Sequence, residues 1–439
     1  MSPRSTPKII VLDDDPTGSQ TVHGCLLLTR WDGETLRIGL QDKSPIFFVL
    51  TNTRALSPDA AARVTREVCQ NLKLALAQEN TKDFLVVSRS DSTLRGHYPV
   101  ETDAIAEELG PFDAHFLVPA FFEGGRTTRG SVHYLQVNGV DVPVHETEFA
   151  RDSVFAYHHS YLPDYVEEKT SGRIQAAAVD RFLLSEVRVG VFDRLLNLHD
   201  NQCGVVDAEV QADLDRFAQD ILRAAAEGKR FLFRSAASLL TALAHLPPQP
   251  IAPEAMAKYV RDGKPGAVVV GSHVQKTTEQ LAQLLQQPGV VGVEVQVDRL
   301  LTSDNSTALL TETVQRVHEI HAAGHTSAIY TSRQELSFAN VQARLDFGEV
   351  VSALLMEVIR QLPSDLGFLI SKGGITSNDT LSKGLALPTA RLLGQVLAGV
   401  SIVRTPEDHQ FANLPVVLFP GNVGDAHALA TVYQRLSQQ

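Results

Sequence analysis

Short apolar runs that stop abruptly in polar or glycine-rich loops, each followed by a helical pattern, recur along this chain and leave it few folds. The first is KIIVLDDDPTGS, residues 8–19, where a buried strand over 9–12 ends in three aspartates and a Pro16-Thr17-Gly18 turn. CLLLT at 25–29 and PIFFVL at 45–50 read as further strands, the second ending in Thr51-Asn52-Thr53-Arg54. Ser57-Pro58-Asp59 is an N-cap with proline at the first helical position, and Ala61, Val64, Val68 and Leu72 continue at helical spacing. DFLVVS at 83–88 runs directly into Arg89-Ser90-Asp91-Ser92-Thr93-Leu94-Arg95-Gly96-His97, and a helix over 99–109 and the strand AHFLVP follow. This alternation specifies a parallel sheet with crossover helices.

A chain of 439 residues exceeds one ordinary core, so two domains are expected. The prolines and glycines of 246–266 mark the junction, giving a first domain over 1–250 and a second over 266–439. Residues 147–204 show no regular pattern; GVVDAEV at 204–210 and FLFRS at 231–235 resume the strand style. The second half starts afresh with AVVVGS at 267–272, a helix over 277–285, an alternating strand over 291–297 and a helix over 303–323. Strands at 326–331 and 367–371 follow, the latter entering Lys372-Gly373-Gly374-Ile375-Thr376. VVLF at 416–419 then enters Pro420-Gly421-Asn422-Val423-Gly424 and a closing helix. The expected fold is therefore two three-layer α/β domains with largely parallel sheets, the active site lying in the cleft between them.

Charge and composition narrow the function. A formal net charge of −12 argues against a general nucleic-acid binder. Cys25, Cys69 and Cys203 are too scattered for a disulfide framework or zinc knuckle, and no apolar run suits a signal peptide or membrane span. A cytoplasmic location follows, with no membrane partner; a homo-oligomer is compatible with the reading. His318, His321 and His325 would share a helical face, but Gly324 ends that helix first, and no metal ligand is assigned.

Parallel strands place their carboxyl ends on one side of the sheet, so the loops at 13–17, 52–54, 89–95 and 123–129 converge. Aspartates there can accept a substrate proton or bond a polyol, although a solvated capping turn uses the same residues. Arg54, Arg89, Arg95, Arg126 and Arg129 offer guanidinium forks for a carboxylate or phosphate. In the second domain Ser272, Gly373 with Gly374, and Gly421 with Gly424 sit in strand-to-helix turns whose exposed amides favour phosphate. Neither a Walker loop nor G-x-G-x-x-G is present.

These residues resemble the four-carbon acid sugar kinase family. Asp14-Asp15-Pro16-Thr17-Gly18 is similar to its Asp-Asp-x-Thr-Gly start, and Asp91-Ser92-Thr93-Leu94-Arg95-Gly96 to its most specific signature. Two further segments match, at 119–128 and 146–149. Gly271-Ser272, Gly373-Gly374-x-Thr376 and Gly421-Asn422-x-Gly424 look like its ATP-binding turns. The chain departs at Arg89, where lysine is common, at Ile375, usually acidic, and at Phe419-Pro420, usually Lys-Ser.

The resemblance implies an ATP-dependent kinase, with Mg2+ accompanying the nucleotide, that phosphorylates a terminal hydroxyl of a small, four-carbon sugar acid. Asp15 is the expected base, with Asp14 its alternative or a magnesium contact. Arg54, Arg89 and Arg95 are expected to clamp the carboxylate, and Asp91, Ser92 and Thr93 to bond the polyol. Ser272, Gly373, Gly374, Ile375, Thr376, Gly421 and Asn422 are expected to hold ATP. Two rival readings are a non-catalytic sensor of sugar acid and nucleotide, and an ATP-dependent carboxylate-activating enzyme.

Overall fold

In the computed structural model of the chain, residues 7–437 are described apart from 273, 302–305, 334–335, 339 and 422. Two compact units divide at Pro247, Met1–Pro247 and Pro248–Gln439. Both are α/β, with sheets that are wholly or mostly parallel.

The first unit begins with β1 (Lys8–Asp13), β2 (Leu26–Leu28), α1 (Gly33–Gln41), β3 (Ile46–Leu50) and α2 (Pro58–Gln78). β4 (Phe84–Arg89), α3 (Val100–Leu109) and β5 (Ala114–Val118) follow, then β6 (Arg126–Arg129), β7 (Val132–Val137) and β8 (Val140–Pro143). The unit closes with α4 (Leu162–Lys169), β9 (Asp180–Phe182), α5 (Leu184–Val189), α6 (Phe192–Leu196), β10 (Gln202–Val206), α7 (Gln211–Ala226), β11 (Phe231–Ser235) and α8 (Ala237–Ala244).

Eight of its eleven strands run parallel in the order β2-β3-β1-β4-β11-β5-β10-β9, and β6-β7-β8 form a separate antiparallel sheet. Strand runs such as IFFVL are apolar throughout because both faces are covered. On one face Leu36, Val68, Leu72 and Ile105 of α1–α3 meet Ile10, Leu12 and Phe47. On the other, the Phe116 ring packs against Phe182, Phe217, Phe231 and Phe233 at centroid distances of 5.4–5.7 Å. The chain leaves β3 on one side of β1 and returns as β4 on the other, so strand order reverses beside β1. That reversal parts the loops at the carboxyl ends of β1 and β4 and opens a crevice there. α2 starts as its sequence suggests, with Ser57 accepting from the Ala60 amide and Pro58 in the first turn.

The second unit comprises β12 (Ala267–Val270), α9 (Gln275–Leu284), β13 (Val290–Val295), α10 (Ser306–Ala322), β14 (Thr326–Thr331), α11 (Val341–Arg360) and β15 (Leu369–Lys372). It continues with α12 (Gly374–Asp379), β16 (Thr389–Leu397), β17 (Val400–Arg404), β18 (Pro415–Phe419) and α13 (Ala428–Ser437). β13-β14-β12-β15-β18 are parallel and β17 and β16 continue antiparallel. Leu281 and Leu284 of α9 and Leu429 and Val432 of α13 pack on Val268, Val270 and Val417. Leu355 of α11 lies under Gly271, the opposite face of β12.

Three elements had no clear sequence pattern. The irregular stretch 147–204 resolves into α4, β9, α5 and α6, too short to show a period. α11 exposes Leu345 and Val350, which blurs its apolar stripe, and only its second half is well buried. β17 is buried on both faces and its pairing with β16 is interrupted by register shifts, so no continuous alternation marks the hairpin. No described helix is long and apolar enough to cross a membrane. All three cysteines are buried.

The Phe116 cluster supplies a direct test of the packing. Replacing Phe116 with Ala is expected to cost about 4 kcal/mol by the usual large-to-small penalty, measured as a lowered denaturant midpoint. A loss under about 1 kcal/mol would mean that the ring is not a packing centre.

Candidate active site

The aspartates after β1 have three different environments. Asp13 is fully buried; its Oδ1 accepts from Arg89 Nη1 at 3.4 Å, while its Oδ2 has no partner. Burial pushes its pKa up to about 7 against the opposing pull of Arg89. Gly18 is needed here because a Cβ would fall 2.1 Å from Asp13 Oδ1. Asp14 is also buried and is saturated with donors. Arg54 holds it bidentately, Nη2 to Oδ1 at 2.5 Å and Nε to Oδ2 at 3.1 Å, and Ser90 Oγ donates at 2.7 Å. Asp15 is the open member, with its side chain 20% exposed. Its Oδ1 accepts from the Thr17 amide at 2.8 Å and from the Thr17 hydroxyl, and Arg54 Nη1 lies 3.3 Å from Oδ2. Burial opposes ionisation, but Arg54 and Thr17 outweigh it and hold the carboxyl below its ordinary range.

Beside it lies the loop after β4. Asp91 Oδ2 accepts from Arg95 Nε at 2.9 Å, the Thr93 amide at 3.3 Å and the Thr93 hydroxyl. Burial is again overcome, here by Arg54 and Arg95, and Asp91 stays well below the usual carboxylate range. Leu94 (φ 66°) and Gly96 (φ 119°) turn the loop back. A Cβ on Gly96 would meet Ser90 Oγ at 2.4 Å and Arg234 Nη2 at 2.5 Å, so only glycine fits. The loop carbonyls are satisfied from outside: His133 Nε2 lies 2.8 Å from Ser92 O, Tyr157 donates to Thr93 O at 2.7 Å, and Tyr165 to Leu94 O at 2.8 Å.

The sequence reading missed Arg234 and Glu101. Arg234 donates to Glu101 and Ser90 at 2.6 Å each and to Ser88 at 2.8 Å, tying β11, α3 and the start of the loop together. Its only signal was a charge in the penultimate position of the otherwise apolar FLFRS. Thus Asp14, Asp15, Arg54, Arg89, Asp91, Thr93 and Arg95 are drawn into one hydrogen-bonded and ionic neighbourhood. Ser92, 8% exposed, joins it through its backbone.

In the second unit the turns after β12, β15 and β18 lie side by side, since β15 pairs with both other strands. Gly373 takes φ 115° before α12, and a Cβ on Gly271 would fall 2.5 Å from Thr376 Oγ1. A Cβ on Gly421 would meet nothing within 4 Å. Ile375 is 69% exposed; Asn422 lies outside the described residues. Lys372 does not project as a free cation. It is fully buried, donates to Pro420 O at 2.5 Å and Gly421 O at 3.1 Å, and sits 4.3 Å from the Phe419 ring centroid. Burial, helped by Lys276, brings its pKa down to about 7. Arg333, also unanticipated, donates to Ser272 O at 2.6 Å. Of the histidines, His318 bonds Gln361 O and His321 bonds Asp365.

Two measurements check these assignments. Asp13 ionises near 3.8 when unfolded and near 7 when folded, so its contribution to stability is full below about pH 4 and lost as pH rises through 7. Asp13→Asn keeps the acceptor for Arg89 but cannot titrate. The melting temperature of the variant relative to the parent should therefore rise between pH 4.5 and pH 8; a constant difference would contradict the assignment. Lys372→Met removes both donors to the 420–421 turn and should cost about 2 kcal/mol in chemical denaturation.

Residues 9–243 match the family model described as a sugar-binding N-terminal domain, and 267–429 that described as a nucleotide-binding C-terminal domain. The chain is 23% identical to a D-erythronate kinase of Heliobacterium modesticaldum, covering 96% of this chain and 95% of that protein. It is 27% identical to a D-threonate kinase of Bordetella bronchiseptica, covering 99% and 98%. A solved Salmonella typhimurium LT2 protein shares the fold with a TM-score of 0.70 at 18% identity, covering 96% of this chain and 98% of its own. A Haemophilus influenzae protein does so at 0.66 and 15%, covering 97% and 100%. The chain belongs to the four-carbon acid sugar kinase family.

Proposed function

We propose that this protein is an ATP-dependent kinase that phosphorylates a terminal hydroxyl of a small sugar acid with four carbons. The observation that carries the reading is the contrast among the three aspartates: all are paired with arginine, but Asp13 and Asp14 are buried, whereas Asp15 keeps an ionised carboxylate with 20% of its side chain exposed. A carboxylate so placed can orient a hydroxyl and take its proton as the new P–O bond forms. Its depressed pKa suits this reaction, because a loose phosphoryl-transfer transition state asks for alignment first and accepts the proton late.

Asp91, Ser92 and Thr93 meet the hydroxyls of the acid. Arg54 and Arg95 hold Asp15 and Asp91 in place from the same side of the site, while Arg89 supports it from beneath through Asp13. Asp14 holds Arg54 and Ser90 in position. In the second unit the glycines at 373, 374 and 421, with Ser272 and Thr376, offer a backbone cradle to the phosphates of ATP. Ile375 contributes its amide, and its side chain points away from the packed interior. Asn422, outside the described residues, is the remaining residue proposed to hold ATP. Lys276 and Arg333 are cations near the same turns. Among the described residues no three acidic, histidine or cysteine side chains are grouped to hold a metal. Mg2+ would arrive on the nucleotide, held mainly by its phosphates and neutralising their charge. Supply of ATP places the reaction in the cytoplasm.

The test is ADP release from Mg-ATP over a panel of four-carbon sugar acids, with Asp15→Asn alongside. Turnover of one acid, with kcat lowered about 10²- to 10⁴-fold in the variant and KM little changed, is the expected result. A phosphate ester must be the product. Acyl phosphate or AMP would point to carboxylate activation, and binding of both ligands without turnover would point to a sensor.

A further inference from the structure

Every guanidinium around the open carboxylate is already matched to an acid of the protein, with one exception. Arg54 pairs with Asp14 and Asp15, Arg89 with Asp13, Arg95 with Asp91 and Asp152, Arg234 with Glu101, and Arg129 with Asp141 and Glu209. Arg126 forms no ion pair with any described residue. It is half-buried, its Nε is buried with no partner, and its Nη1 donates to the Gly124 carbonyl. The Phe121 ring lies 5.9 Å from its Cζ. Burial makes its charge harder to hold, and Asp91 and Arg95 are the charges that act on it.

The hairpin directs this side chain towards the loop after β4. Arg126 and Thr128 lie on the same face of β6, since side chains alternate along a strand. Thr128 is fully buried and its hydroxyl lies 2.9 Å from His133 Nδ1; the other nitrogen of that imidazole meets Ser92 O. The face that carries Arg126 is thus the face docked on residues 91–95. Glycine at 124 leaves the room: a Cβ there would fall 2.2 Å from Arg126 Nη1 and 2.6 Å from the Phe121 ring. A buried cation without a counter-ion is costly, and a site normally supplies one.

We infer that Arg126 is the anchor for the carboxylate of the acceptor acid, completing its ion pair only when substrate binds. The inference rests on the sugar-acid kinase reading and names the residue that separates an acid from the corresponding neutral polyol. Of the five arginines named from sequence, Arg54, Arg89, Arg95 and Arg129 then serve the protein's own acids, and Arg126 serves the ligand. A guanidinium suits this because its two parallel N–H groups match a carboxylate and because it cannot give up its proton.

Calorimetric titration of the full chain, without nucleotide, tests it with the accepted four-carbon acid and with its tetritol, in which a hydroxymethyl replaces the carboxylate. Arg126→Gln should weaken the acid about 50-fold or more, the scale of a lost charge-assisted pair. Tetritol and ATP binding should stay within about threefold, inside the range of surface effects. Arg126→Lys, which keeps the charge but not the fork, should recover part of the loss and decides the matter should the glutamine variant melt early. Acid binding within threefold of the parent in Arg126→Gln would overturn the inference while leaving the kinase reading untouched. So would weakened ATP with unchanged acid, which would assign the guanidinium to phosphate. Conversely, acid binding that depends on Arg126 in a protein that releases no ADP would uphold the anchor and sink the kinase.

Discussion

The bidentate pair between Arg54 and Asp14 is the contact on which the first unit's polar edge depends. It joins the end of β1 to the loop after β3, and its carboxylate also receives the Ser90 hydroxyl from the loop after β4. Three strand ends are thereby fixed to one carboxyl group with 1% of its surface exposed. Burying such a pair is a poor way to gain stability, since the desolvation of both charges offsets most of their attraction. Breaking it is worse, because one charge is then left buried alone. The arrangement makes sense as a rigid polar floor, over which Asp15 and Asp91 stay ionised without having to move when a substrate arrives.

That floor has its own support. The loop 90–97 is neither helix nor strand, so its carbonyls need donors from elsewhere. Tyr157, Tyr165 and His133 supply them, and the Tyr98–Tyr165 and Tyr157–Tyr165 ring contacts fix those donors in turn. The segment that carries these tyrosines is the one whose sequence showed no period. Its residues are chosen for the loop they hold and for short helical turns, and neither requirement leaves a repeating pattern.

This separates what could be read from the sequence and what could not. Strands buried on both faces declare themselves as unbroken apolar runs, and their ends declare themselves as charge or glycine, so β1, β3, β4, β12, β15 and β18 were legible. The candidate aspartates and arginines were legible as a group for the same reason. Apart from the local Asp91–Arg95 pair, who pairs with whom was not, because the partners are 39 to 76 residues apart in sequence and the choice is made by sheet order. Arg89 reads like a ligand contact and is a buried counter-ion to Asp13. Lys372 stands at a glycine-rich strand end, yet the ring of Phe419 and two carbonyls hold it inside. In each case a charged residue at a strand end was visible, and the direction of its side chain was not.

The departures from the family pattern take on a different meaning in this light. Ile375 occupies an early position of α12 with its side chain largely in solvent, so the change from an acidic residue leaves the backbone of the Gly373-Gly374 turn free to keep its form. Phe419 replaces a polar residue and becomes the face on which Lys372 rests, and Pro420 supplies a carbonyl to the same amine. Both changes exchange side-chain polarity for packing around a turn whose amides do not depend on residue type. A phosphate held by amides and by a helix start is indifferent to such exchanges, whereas one held by side chains would not tolerate them. In the proposed reading the two units would therefore place their specificity differently: the first in side chains that must be matched one to one, the second in a backbone shape maintained by glycine and by a lysine turned inward.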